Sequence, residues 1–194
     1  MAIYLYPFLG YLLGSIPSAL WITRLVKGID VRDGGSGHVT TTNTIRQAGW
    51  LPGVIVFLMD VAKGFVPTLL AGKGGSPDWI IALTAALAVT GHCWPVYAEF
   101  RGGMGLATMG GSFLAVAPLA FVIGVGVLVT LLLVIRHAAR AALIGGIVTP
   151  LVLWLLGHRG TITWVSIAAG IVIVVRFTID WNRQYRELWL DRER

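Results

Sequence analysis

Gly91-His92-Cys93-Trp94-Pro95-Val96-Tyr97-Ala98-Glu99-Phe100-Arg101-Gly102-Gly103-Met104-Gly105-Leu106-Ala107-Thr108 lies between two long apolar runs, yet it holds a His, a Glu, an Arg and three closely spaced glycines. Glycine adopts backbone angles other residues avoid and lets main-chain N–H groups come close to a ligand. A glycine turn that opens directly into an apolar helix aims several unpaired N–H groups, and the positive end of the helix dipole, at one point. That is a place for an anion at the edge of a membrane. The plainer alternative is that Gly102, Gly103 and Gly105 only form a tight turn between helices.

The flanking runs set the class. The 194 residues are 56% hydrophobic and 12% charged, where soluble domains carry about 25% charged residues. Several membrane spans in one domain over residues 1–194 are expected, not a soluble body on one anchor. The net charge of +6 implies no nucleic acid. In a membrane protein Lys and Arg mark cytoplasmic loops and meet anionic headgroups or phosphorylated substrates. The lone Cys93 has no partner for a disulfide or a metal site. The first apolar run lacks a charged n-region and a cleavage site, so it reads as a retained span.

About 20 apolar residues cross the hydrocarbon. The first span is expected over about residues 2–22, kinked at Gly14-Ser15-Ile16-Pro17, where proline strips a carbonyl of its helical partner. A polar loop from Arg24 to Gly49 follows, far longer than a connection needs. The second span, about residues 51–71, carries Asp60 and Lys63 on one face; Gly64 and Pro67 predict that it is short or bent. The third covers about residues 79–96. The run 106–135 is too long for one crossing and holds Pro118. Splitting it near Ala117 puts the loop 24–46, the glycine turn, Arg136–Arg140 and a charged tail 176–194 on one side, as the positive-inside rule prefers. Spans over about 141–156 and 162–175 complete an all-α, polytopic fold. Seven helices are expected, with the amino terminus outside and the carboxyl terminus cytoplasmic; five or six are the alternative counts.

Under this topology Ser36, His38, Thr42, Asn43, Arg46, His92, Arg101 and Arg136 face the cytoplasm together with the N–H groups of the turn. Arg forks and backbone amides suit phosphate oxygens. No P-loop, nucleophile elbow or dinucleotide fingerprint is present, and His38 and His92 lack an Asp at the His-x4-Asp distance. The chemistry read from residues alone is a site for a phosphorylated, lipidic ligand.

Leu12-Leu13-Gly14-Ser15-Ile16-Pro17, Gly35-Ser36-Gly37 with Thr42-Asn43 and Arg46, Asp60-x-x-Lys63-Gly64, Gly91-His92-x-x-Pro95-Val96 and Phe100-Arg101-Gly102-Gly103-x-Gly105-x-Ala107-Thr108 follow one another in this order. In this the chain resembles the bacterial acyl-phosphate:glycerol-3-phosphate acyltransferases, the PlsY family, over about residues 10–110. The resemblance implies a seven-helix enzyme of the bacterial inner membrane with its active site toward the cytoplasm. It would move an acyl group from acyl phosphate to glycerol 3-phosphate, giving lysophosphatidic acid for phospholipid synthesis. Its partners would be those two substrates and membrane lipid, and no metal or nucleotide cofactor is implied.

Carried over residue by residue, Ser36, Arg46 and His92 would be catalytic. Gly35, Gly37, Thr42, Asn43, Arg101, Gly102, Gly103 and Gly105 would hold substrate phosphate, with His92 bracing the glycine turn. The chain departs from the pattern at His38, where Asn is expected, at Thr40 (Gly) and at Met104 (Lys). Near the carboxyl end Phe177 and Asp180 stand where His and Asn belong, and Ala139 or Ala142 replaces a serine. His38, Arg140 and Asp180 are the candidates to compensate. The competing readings are a silent paralogue that binds phospholipid precursors beside an active family member, and a small lipid or solute transporter built on the broken helices and the Asp60/Lys63 pair.

Overall fold

Gly14-Ser15-Ile16-Pro17 does break the first span. In the computed structural model, which describes residues 2–182, helix α1 (Leu5–Gly14) stops there and α2 (Ser18–Lys27) resumes. The carbonyl of Ile16 thereby loses its regular helical donor and accepts the Ser18 N–H and the Lys63 ammonium, each at 3.0 Å. The remaining helices are α3 (Thr41–Ala48), α4 (Trp50–Lys73), α5 (Asp78–Cys93), α6 (Leu106–Val116), α7 (Pro118–Ile135), α8 (Ala138–Leu155) and α9 (Thr161–Ile179). There is no strand among the described residues.

Six segments are long and apolar enough to cross a bilayer: α1 with α2, α4, α5, α7, α8 and α9. The short α6, 11 residues long, is a further apolar helix beside these six. It starts at the glycine turn, and its last residues, Ala115 and Val116, share a second cavity with Lys73 and Thr161 at the opposite end of the bundle. Extended Ala117 then breaks the run at the expected place, and α7 folds back so that Phe121 meets Gly110 and Phe113 meets Gly124. The chain is an integral membrane protein.

Three expectations need correcting. The polar stretch 24–49 is not one loop: Arg24–Lys27 belong to α2, Val31–Asp33 form a 3-10 turn, and α3 begins under a cap in which the Thr40 hydroxyl accepts the Asn43 N–H at 3.3 Å. The second span is not short; α4 runs unbroken through Pro67 for 24 residues. One missing N–H is tolerable where Gly64 lets α4 press directly against the Thr108 carbonyl of α6. Arg176 does not begin a charged tail but is a buried residue in the last turn of α9. The rest of that predicted tail, 183–194, lies outside the described residues.

Small residues bring the helices close, as membrane packing requires where lipid gives apolar side chains no reason to associate. Gly14 faces the Ala88 carbonyl between α1 and α5, and Gly146 lies near the Gly170 carbonyl between α8 and α9. Helix α7 is nearly bare, with Ala120 its one buried residue, so its outer face is left to lipid.

Candidate active site

Four polar segments converge at one end of the bundle. Val39 N–H donates to the Gly102 carbonyl at 3.4 Å, and Arg176 Nε donates to the Gly103 carbonyl at 3.0 Å. The Arg140 guanidinium stacks 5.2 Å over the Trp181 ring. Polar loop, glycine turn, start of α8 and end of α9 thus enclose a common space.

That space is a cavity of about 540 Å³ with two chemically distinct parts. Its head is lined by Ser36, His38, Thr40–Thr42, Arg46, Asp60, His92, Met104 and Gly105. From there it continues as an apolar groove between α6, α7 and α8, past Met109, Phe113, Phe121, Leu128 and Ala142 to Thr149. The head is recessed. Gly64 packs against Thr108, so the turn lies near the level of Asp60, about 15 Å along α4 from Trp50 at 1.5 Å per residue.

The loop is ordered by buried side chains. Asn43, fully buried, donates from Nδ2 to the carbonyls of Val31 (2.8 Å), Gly34 (3.2 Å) and His38 (3.0 Å) and accepts the Ser36 N–H at 3.2 Å. Gln47 adds bonds to the Val31 and Gly34 carbonyls. Asp30 receives Arg32 through Nε and Nη2 and Arg24 through Nη2, and Arg32 reaches on to Glu99 at 3.8 Å. The Arg32 guanidinium holds the Asp30 carboxyl well below the usual carboxylate range.

The glycine turn is ordered by close packing. Gly102 presses on the carbonyls of His92 and Cys93, and Gly103 on the His92 ring and the Val39 carbonyl. The Gly103 N–H is already spent on the His92 carbonyl, at 3.0 Å. Only Gly105, left-handed at φ +84°, opens α6. The first N–H groups of a helix have no acceptor within it, and here the first residues of α6, Leu106 and Ala107, line the cavity.

Of the residues singled out from the sequence, Ser36, His38, Thr42, Arg46, His92 and Gly105 line the cavity. The others do not. Asn43, Gly35 and Gly37 shape the loop; Gly102 and Gly103 permit packing, which leaves Gly105 as the glycine of the turn on the cavity wall; Arg101 is exposed. Arg140 and Asp180 stand behind the lining. His92 does brace the turn, and its Nδ1, 3.7 Å from Asp60 Oδ1, has no hydrogen-bond partner among the described residues. The sequence reading missed Thr40, Thr41 and Asp60 as lining. The signal for Asp60 was present, because an intramembrane carboxylate normally faces a cavity. It is tied to Lys63 Nζ at 2.8 Å and to the Ser18 hydroxyl at 2.9 Å.

A helical membrane bundle with a cationic, hydroxyl-rich head on an apolar groove is the architecture of a protein that handles an amphiphile with an anionic end. The comparisons with known proteins narrow the class. Residues 4–187 match the family model described as glycerol-3-phosphate acyltransferase, and the chain belongs to that family. The glycerol-3-phosphate acyltransferase of Rubrobacter xylanophilus is 37% identical over 171 residues, covering 87% of this chain and 84% of that one. That of Aquifex aeolicus is 37% identical over 174 residues, covering 89% and 90%. Among solved structures, the integral membrane glycerol 3-phosphate acyltransferase PlsY (YgiH) superposes in its glycerol 3-phosphate form with a TM-score of 0.80, at 33% identity over 94% of this chain and 92% of that one. Its lysophosphatidic acid form gives 0.82 at 34% identity, over 94% and 91%.

Proposed function

We propose that this chain transfers an acyl group from acyl phosphate to glycerol 3-phosphate, giving lysophosphatidic acid and inorganic phosphate. The observation that carries the reading is the single cavity whose polar head runs without interruption into an apolar groove. Such a cavity takes a phosphorylated group and a fatty chain on one molecule. The relatives are glycerol-3-phosphate acyltransferases by name, and the solved neighbour was captured with glycerol 3-phosphate and with lysophosphatidic acid.

Acyl phosphate is already activated, so the protein's part is positioning and charge stabilisation, with no covalent nucleophile required. A glycerol hydroxyl oxygen attacks the acyl carbon. The bond from that carbon to the phosphate oxygen breaks, phosphate leaves with the electron pair, and the hydroxyl proton passes to the departing phosphate. Arg46, the hydroxyls of Ser36 and Thr42 and the N–H groups of Leu106 and Ala107 hold phosphate oxygens. Met104 stands where the resemblance placed a lysine, so Arg46 carries more of the cationic work.

The polar end faces the cytoplasm of a bacterial inner membrane, with the amino terminus outside. The positive-inside rule supports this, since Arg24, Lys27, Arg32, Arg46, Arg101, Arg136, Arg140 and Arg176 all fall at that end. Residues 1–194 act as one domain. Purified protein given palmitoyl phosphate and radiolabelled glycerol 3-phosphate in detergent should yield labelled lysophosphatidic acid. No product above a protein-free control sinks the reading.

A further inference from the structure

Asp180 lies outside the cavity lining, yet it touches what holds the lining in place. His38 Nε2 is 3.2 Å from Asp180 Oδ2 and Arg176 Nη1 is 3.6 Å from the same oxygen. His38 belongs to the polar loop and lines the head. Its carbonyl is gripped by Asn43 and the next residue, Val39, donates to Gly102. Arg176 in turn donates to the Gly103 carbonyl. All three side chains are buried, His38 at 7%, Asp180 at 6% and Arg176 at 8% exposure. One carboxylate therefore joins the loop, the end of α9 and, through Arg176, the glycine turn. A carboxylate between a guanidinium and an imidazole in so dry a place is strongly oriented, and removing either neighbour is felt by the other.

We propose that His38 and Asp180 act as a coupled pair of positioning residues that sets the distance between the loop hydroxyls of Ser36–Thr42 and the first turn of α6, and so fixes affinity for the phosphate of glycerol 3-phosphate. The proposal rests on the function proposed above. The dissociation constant for glycerol 3-phosphate is measured, without acyl donor, for the full chain, His38→Gln, Asp180→Asn and the double variant, along with each thermal midpoint. Each single variant weakens binding roughly tenfold, and the double variant is no weaker than the worse single, because the second change acts on a contact already lost. If Asp180→Asn does not purify folded, Asp180→Glu, which keeps the charge, replaces it; His38→Gln then costs less affinity on that background than alone.

Multiplying losses, approaching a hundredfold in the double variant, overturn the coupling. Midpoints that fall while affinity stays constant reduce the pair to a structural brace and overturn the positioning role. Because binding is read instead of turnover, a wild type that binds glycerol 3-phosphate but transfers no acyl group defeats the proposed function and leaves this test in force. A wild type that binds none defeats both.

Discussion

The polar segment of residues 28–49, which includes α3, and the glycine turn of 95–105 face each other across the same cavity head, and they are built by opposite means. In the loop, side chains do the holding: Asn43 gathers three carbonyls, Gln47 two, and Asp30 a pair of arginines. In the turn the holding is done by what is missing, since Gly102 and Gly103 let main chain and the His92 ring touch where any side chain would intrude. A loop of the first kind fails when a polar group is removed. A turn of the second kind fails when a methyl group is added.

The sharpest way to break that contrast is Gly103→Ala. The new Cβ overlaps the His92 ring and the Val39 carbonyl, one of them main chain. Overpacking of this kind costs about 3 kcal/mol, and a displacement of the turn by an ångström lowers kcat/KM by about 100-fold. A detergent-stable protein with unaltered kinetics would show that the turn has slack.

Asn43→Ala is the counterpart in the loop. It takes one of the donors from each of the carbonyls of Val31, Gly34 and His38 and removes the oxygen that accepts the Ser36 N–H, an expected loss of about 2 kcal/mol read from the thermal midpoint. Wild-type stability would mean that Gln47 and the backbone donors Gly37 and Thr40 secure the loop without it.

Met104 sharpens the comparison from inside the turn. It sits one residue past Gly103, but it lines the cavity and is half-buried, so there is room to change it. Met104→Lys should fold normally and lower the KM for glycerol 3-phosphate about tenfold, the worth of one charge-assisted hydrogen bond. An unchanged KM would place the side chain away from the substrate.

The smallest effect belongs to Asp30. Its carboxyl is held below the ordinary range by Arg32, so the ionised form is the one that stabilises the fold. That contribution is complete above about pH 4, where the carboxyl is ionised even in the unfolded chain, and it drains away as the pH falls further. Asp30→Asn should melt a few degrees lower at neutral pH, and the gap should narrow in acid. A gap independent of pH would show that the arginines clamp the loop without help from charge.

This difference also explains what could be read in advance. The helices were legible because hydropathy and charge are written residue by residue: the break at Ala117-Pro118 and the convergence of the cationic segments both followed from counting. Some of the cavity's charged and hydroxyl side chains, Ser36, Thr42 and Arg46, were legible for the same reason, whereas Thr40, Thr41 and Asp60 were not. Residue type alone could not separate a glycine that opens a helix onto the cavity from one that makes room. Gly103 and Gly105 look alike until the first is seen spending its N–H on His92 and the second opening α6. Asn43 was misplaced likewise, because an amide that binds phosphate and an amide that ties a loop are the same residue facing opposite ways. Helix α3 has no apolar stripe to announce it; its sign was the Thr40 cap, three residues before Asn43.

The Lys63 ammonium on the Ile16 carbonyl bears on how this protein is made. The first crossing holds a main-chain oxygen that keeps only what Ser18 supplies from its own segment, and its charged donor sits 47 residues later. The opening segment therefore completes its hydrogen bonding only once its successor lies beside it. A nascent chain halted between the two would hold that acceptor without its cation.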